Sequence, residues 1–252
     1  MNASEIAARL RSDIAEGRRT YGSRLPSARD TAETYGVSRQ TVAAAYARLE
    51  ALGLVRVGRG QGGTVVTAGR TADAHLGTFG PPRLGAATPW RTRGAASEEM
   101  VQVRQHPAPN HMADWGIPAG SDVVTRVQLR RVDNVPSQYK ATVLPYAYAA
   151  MTPEDHEGVP PMLAPVGAPP ATPPFGVSVA EWLGWGPVST EASVTVDVMG
   201  DAPADLLGLH ADAPGLHVLG ISRTTSGDVA AVTLTVAPLH HRITLDIVPE
   251  DQ

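Results

Sequence analysis

The stretch "YGVSRQTVAAAYARLEALGLV", Tyr35–Val55, decides how the first quarter of the chain folds. Ser38 stands where it can cap a helix running from Arg39 to about Leu52, and Val42, Ala45, Tyr46 and Leu49 then line one side before Gly53 ends the run. Upstream, Ile6, Leu10 and Ile14 recur every four residues, which predicts an amphipathic helix over 3–16 closed by Gly17. "PSARDTAETYG" has Ser27 three residues before Asp30, the arrangement of a capped short helix that ends at Gly36. Downstream, "LVRV" and "GTVV" are β-prone runs around the glycine-rich "GRGQGG" and predict a hairpin with a tight tip. Three helices and a two-stranded ribbon make a winged helix-turn-helix, assigned to residues 1–67, and the link "GVS" has the length and the glycine its sharp turn needs.

The charge is split along the chain. Up to Val66 there are 10 Arg against 6 Asp+Glu, and beyond it 11 Lys+Arg against 19 Asp+Glu, so a net +4 head precedes a net −8 body. A nucleic-acid-binding head on an acidic body has this pattern, as does a solvated face with a chance excess of arginine. Lys140 is the single lysine, and with heavy Ala, Gly and Pro usage this points to a GC-rich bacterial genome. With no cysteine there are no disulfides, thiolate metal sites or cysteine nucleophiles. The first residues carry both charge signs and no continuous apolar run, which predicts neither a signal peptide nor a membrane span and a cytoplasmic, nucleoid-associated protein.

A recognition helix reads base edges through its N-terminal residues. Here those are Ser38, Arg39, Gln40 and Thr41, where arginine can pair with guanine, glutamine with adenine, and the Thr methyl can meet a thymine methyl. Arg29 and Arg48 are candidates for phosphate contacts, and Arg59, Gln61 and Gly62 for a wing tip in the minor groove. Each alone is an ordinary solvated side chain; as a set at these spacings they read as DNA binding.

Residues 68–104 are rich in Pro and Gly and read as a linker into a second domain, taken as 105–252, whose first strand is expected near "EEMVQVRQH". "DVVTRVQLRRV" and "SQYKATVLP" are strands around the turn "DNVP"; "EASVTVDVM", "GLHVLGISRTT" and "VAAVTLTVAP" are further strands, and "VSVAEWLGW" and "APADLLGLH" short helices. This is an α+β domain of antiparallel strands. Eight prolines between Met151 and Gly176 forbid a regular helix or central strand and predict a long loop, either a gate or an inert insertion.

"LPSARDTAETYGVSRQTVAAAYARLEALGLVRVGRGQGGTVV", Leu25–Val66, resembles the DNA-binding domain of the GntR family of bacterial transcription regulators, with its P-S-E-R, V-S-R-x-T-V and G-x-G-T-x-V motifs. The resemblance implies DNA contacts from Arg29, Arg39, Thr41 and Gly62; Ala43 stands where the family often has arginine, and the wing has one glycine more than usual. "WGIPAGSDVVTRVQLRRVDNVPSQYKATVLP", "APADLLGLHADAPGLHVLGISRTT" and "VTLTVAP" resemble the UTRA effector domain of the HutC-type subfamily, which implies a chorismate-lyase-like antiparallel sheet around a small-molecule pocket. The all-helical FadR-type and the aminotransferase-like MocR-type second domains fit poorly. In sugar-phosphate-sensing relatives an Arg-x-Arg grips the anion and a glutamate holds the sugar; the matching positions here are Gln128, Arg130 and about Ala231. The effector set expected is Gln128, Arg130, Lys140, Thr142 and Arg223, with Arg131 on the other side of its strand. With one cation and one carboxylate gone, a phosphosugar is not expected, and a more apolar effector or none fits better.

His240 and His241 are adjacent and would face opposite ways on a strand, His210 and His217 flank a turn, and Trp115, Trp182 and Trp185 read as packing residues. No metal site, cofactor or catalytic constellation is expected. The sequence therefore predicts a non-enzymatic repressor that binds an inverted repeat as a homodimer under the control of a small molecule. The alternatives are a constitutive repressor whose second domain only dimerises, and a lyase-like enzyme with a DNA-binding appendage.

Overall fold

The computed structural model describes residues 1–58, 62–68, 73–75, 95–154, 156–174 and 176–244. Three helices open the chain: α1 (Ala3–Ala15), α2 (Ala28–Tyr35) and α3 (Arg39–Ala51). Each begins at a side-chain cap. Asn2 and Glu5 form a reciprocal capping box on α1, Ser27 accepts from the amide of Asp30, and Ser38 accepts from that of Thr41. Gly36 closes α2 in the left-handed region, φ 63°, which a side chain would resist. The buried residues of α3 are Val42, Ala45, Tyr46 and Leu49, the four that the periodicity puts on one side, and they pack with Ile6, Leu10 and Ile14 of α1. The Tyr46 hydroxyl lies 2.8 Å from Thr31 Oγ1 and donates to the Pro26 carbonyl at 2.6 Å, which ties α3 to the start of α2. Strands β1 (Val55–Val57) and β2 (Thr64–Val66) pair antiparallel beyond α3, and Arg24 bridges to Val65 as a third chain of the ribbon.

The body is one six-stranded antiparallel sheet. Its strands are β4 (Ala96–Pro107), β5 (Asp122–Val132), β6 (Val135–Pro145), β7 (Val188–Val198), β8 (Pro214–Thr224) and β9 (Val229–Pro238), in the order β4-β5-β6-β9-β8-β7. β5 and β6 are joined by Asp133 and Asn134 with φ of 51° and 65°, the two-residue turn that needs positive φ at both positions. Asp133 also accepts from the amide of Ala95 through Oδ1, which fixes where β4 enters the sheet. Two short helices, α4 (Tyr146–Ala149) and α5 (Val179–Trp182), flank residues 150–178, which carry turns but no strand or α-helix among the described residues. α6 (Asp201–Leu207) follows β7. A parallel pairing of β3 (Asp73–His75) with β10 (Arg242–Thr244), 160-odd positions apart in sequence, was not among the sequence expectations.

Alternation gives the sheet two unlike faces. On one, Val127, Leu129, Tyr139, Ala141 and Val236 pack under Met199, Ala204 and Leu207, and Val123, Val143 and Val232 pack under Met112 and Ile117. The other is polar along its middle and apolar at one end, where Val124, Leu144 and Ala231 pack with Leu183 and Trp185.

Candidate nucleic-acid interface and effector strip

At the start of α3 the side chains of Arg39 and Gln40 are exposed and make no hydrogen bond or ion pair with any described residue. Ala43, Ala44 and Ala47 continue this exposed face with nothing larger than a methyl group, so the helix presents a shallow surface behind two uncommitted polar groups. Ser38 and Thr41 differ: the Ser38 hydroxyl caps the helix and lies 2.8 Å from Thr41 Oγ1, so both hydroxyls are engaged within the turn. Arg29 is exposed in an i,i+4 pair with Glu33 at 3.0 Å, a solvated pairing easily given up to a phosphate. Arg48 donates to Ser4 Oγ and faces α1, apart from Arg39 and Gln40. Gly62 is exposed at the wing, while Arg59 and Gln61 lie outside the described residues. Two cations escaped the sequence reading. Arg56 pairs with Val65, and Arg24 bridges to the same residue from the other side, so both arginines lie abreast on the outer face of the ribbon, exposed. The alternation of "LVRV" was the available signal for Arg56; nothing local announced Arg24.

On the body, the polar face brings Gln128, Arg130, Lys140 and Thr142 together. Lys140 is opposite Gln128 on β5 and Thr235 on β9, and Thr142 is opposite Arg126 and Thr233. Glu98, across from Arg130 on β4, anchors the group: its Oε2 accepts from Arg130 Nε at 2.6 Å, and Gln128 Nε2 donates to its Oε1. Burial opposes ionisation of Glu98, but the charges of Arg130, Lys140 and Arg126 outweigh it and hold the carboxyl below its ordinary value. Arg130 Nη1 also donates to Gln138 Oε1 at 3.4 Å. Lys140 keeps some solvent contact, yet burial, with the nearby Arg130 and Arg126 charges, lowers its ammonium pKa to about 8 against the opposing pull of Glu98. Glu98 and Arg126 are the members of this strip that sequence reasoning missed. Arg126 donates through Nη1 to the carbonyls of Met162 at 2.6 Å and Pro161 at 3.2 Å, so the proline-rich segment is fastened over this end of the strip.

Arg223 stands apart from that group. Beside a bulge between Ser222 and Arg223, its guanidinium donates to the carbonyls of Trp115 and Gly227 and lies against Gly116, where an added Cβ would come within 3.0 Å. It holds the turn that walls a recess of about 560 Å3, lined also by Pro118, Pro145, Tyr148 and Asp228. None of the strip residues lines that recess. Ala231 is fully buried in the apolar end of the polar face.

Head and body touch at the end of α3. His240 Nδ1 is 3.1 Å from the Leu52 carbonyl, His210 Nε2 is 3.3 Å from the Val57 carbonyl, and Gly53 lies so close to Pro238 that a Cβ would fall 2.6 Å from that ring. Burial, only partly offset by the bond to Leu52, lowers the His240 pKa to about 4, so this ring sits neutral between the domains. Among the described residues no group of three or more His, Cys, Asp or Glu is placed to hold a metal ion, and no helix is long and apolar enough to cross a membrane.

Residues 2–66 match the family described as bacterial regulatory proteins, gntR family. The head thus has the sequence of a gntR-type domain as well as its three helices and wing. No curated protein matches the chain. Among solved structures, one described as a GntR-family transcriptional regulator is 22% identical over 98% of this chain and 98% of its own, with a TM-score of 0.52, and shares the fold. PhnF from Mycobacterium smegmatis (18% identity, 96% of this chain and 100% of that one, TM-score 0.45) and YydK from Bacillus subtilis (14%, 98% and 100%, 0.45) are more distant in shape.

Proposed function

We propose that this chain is a sequence-specific DNA-binding transcriptional regulator, a repressor that sits on an inverted repeat as a homodimer and whose operator affinity is set by a small molecule on the polar sheet face. The observation that carries the reading is the start of α3, where Arg39 and Gln40 stand exposed and uncommitted on a helix whose opposite side is packed into the head. That is the geometry of a helix whose first residues meet base edges. Arg24 and Arg56 on the ribbon add positive charge where a wing would meet phosphates.

A single short reading helix makes too few base contacts for useful specificity, and pairing two heads about one helical turn apart doubles them. The outer strand β7 supports the pairing: among the described strands it pairs with β8 alone, it is exposed along most of its 11 residues, and it shows Val194, Val196 and Val198 to solvent. A long apolar edge of this kind is a template for another chain. An effector on the body acts by binding one setting of the two heads better than the other, and the contacts of His240 and His210 with the end of α3 and with β1 are the route by which the sheet sets the head. A phosphosugar is a poor candidate, because Gln128 replaces one cation and spends its amide on Glu98.

Footprinting of the full chain on DNA upstream of its own gene tests the reading. Two protected half-sites related by a dyad are expected, and protection that survives Arg39→Ala unchanged at physiological salt removes the assignment of the reading helix. Sedimentation of the free protein as a monomer at micromolar concentration removes the homodimer.

A further inference from the structure

The polar strip sets three cations, Arg126, Arg130 and Lys140, against the single carboxylate of Glu98. Arg130 is bound by Glu98 and Gln138, Gln128 by Glu98, and Arg126 by the carbonyls of Pro161 and Met162. Lys140, in the middle of these, has no hydrogen bond or ion pair with any described residue, and its side chain keeps partial access to solvent. Two further groups beside it are orphaned: Gln138 Nε2, two residues along the same strand, and Thr233 Oγ1, diagonal to Lys140 across β6 and β9, are fully shielded and have no partner among the described residues. Buried polar atoms left unpaired are uncommon because each costs stability, so two of them beside an ammonium with no hydrogen bond mark a place where a missing acceptor belongs. Beyond Arg126 the surroundings turn apolar: Val103 lies opposite Arg126, and Met162, Leu163 and Trp182 are half-buried against the packed end of the face.

Resting on the effector reading above, we propose that this strip binds a monocarboxylate with an apolar body, its carboxylate on Lys140 with Gln138 and Thr233 and its aliphatic or aromatic part against Met162, Leu163 and Trp182. One uncommitted ammonium matches one negative charge, and the ammonium, the amide and the hydroxyl between them supply donors for the lone pairs of two carboxylate oxygens. A phosphate monoester would bring about a second charge and a third oxygen, and the arginines that would meet them are already engaged by Glu98 and by the loop carbonyls.

Lys140 is the chain's only lysine, so protein grown with lysine carrying 13C at Cε gives a single lysine resonance in the full-length protein. Benzoate, phenylacetate and hexanoate are titrated against it, with benzamide, phenyl phosphate and inorganic phosphate as comparators. At least one acid is expected to shift the resonance in a saturable manner below millimolar concentration, the amide to leave it unmoved, and the phosphates to need at least tenfold more. The same acid should raise the melting temperature of the wild type and not that of Lys140→Met. The proposal is overturned if no acid moves the resonance, if benzamide moves it as well as benzoate, or if phenyl phosphate binds more tightly than the acids. Operator affinity measured in the same samples separates the two readings. An acid that saturates Lys140 while operator affinity stays within twofold leaves the site standing and removes the effector role; intact operator binding with no acid at Lys140 removes the site alone.

Discussion

The start of α3 and the strip on β5 and β6 are both polar surfaces written in a few residues, but they are held in opposite ways. Arg39 and Gln40 stand in solvent with no partner among the described residues, and what supports them lies on the far side of the helix, in Val42, Tyr46 and Leu49. The strip is half-buried, with Arg130 paired to Glu98, Arg126 held by loop carbonyls, and Lys140 left over. On the proposed function, the head carries function and stability on different atoms, and the body carries them on the same ones. Substitutions in the strip should therefore move stability in both directions, whereas substitutions on the reading face should leave it still.

The largest effect belongs to Glu98→Gln. The substitution takes the carboxylate from Arg130, whose side chain is 5% exposed, and leaves three cations with no counter-charge on the strip. Removing one partner of a buried pair costs about 3 kcal/mol, and Glu98 is itself 30% exposed, so the loss belongs at or below that figure. Denaturant melts at pH 7 read it directly; a change under 0.5 kcal/mol would mean that the pair is as solvated as Arg29 and Glu33 and would erase the contrast between the two surfaces.

Lys140→Met should do the reverse and stabilise the free protein at pH 7 by about 2 kcal/mol, the roughly 3 kcal/mol of the full pKa difference discounted for the solvent contact that Lys140 keeps. In the folded chain the ammonium loses its proton at about 8, while an unfolded lysine keeps it to about 10.4. Between those two values the unfolded chain binds more protons, so wild-type stability rises with pH across the window, and the advantage of the Met variant shrinks to little above it. A difference between the two proteins that stays flat from pH 7 to 10.5 would show that Lys140 is not penalised by its surroundings.

How much of this could be read from the sequence follows the same division. As a helix α3 was legible because its cap, its inner residues and its stop lie close together and obey local rules; the turn at "DNVP" was legible for the same reason, although Val135 and Pro136 belong to β6. The strip was half legible. Alternation from Arg130 back through Gln128 reaches Arg126, so that residue was available; Glu98 was not, because it lies 32 positions away on a strand whose register slips at a bulge between Met100 and Gln102. Arg223 was read as an effector residue from its motif, but the bulge beside it and the close approach of Gly116 give it a carbonyl-holding task elsewhere. The β3–β10 pairing joins two triplets too short to carry a pattern.

Arg39→Ala tests the head's side of the comparison. Loss of a bidentate arginine–guanine contact costs about 1–3 kcal/mol of operator affinity, roughly five- to a hundredfold, and relaxes the preference at the contacted base pair. Because Arg39 is exposed and makes no hydrogen bond or ion pair with any described residue, the melting temperature should not move by more than the scatter of a surface substitution. A variant that loses both binding and stability would place Arg39 in the packing of the head.

Arg56→Ala should give the smallest change, and of a different kind. Arg56 and Arg24 flank Val65 on the exposed face of the ribbon, where each can neutralise one phosphate without meeting a base edge. Removing one such contact lowers the slope of log affinity against log salt by about one and weakens operator and unrelated DNA alike, so the specificity ratio is kept. Arg39→Ala should lower that ratio and leave the slope closer to the wild type. If Arg56→Ala instead lowers the ratio and spares the slope, the ribbon reads bases in the manner of α3, and the division within the head between a helix that specifies and a wing that only holds has to be redrawn.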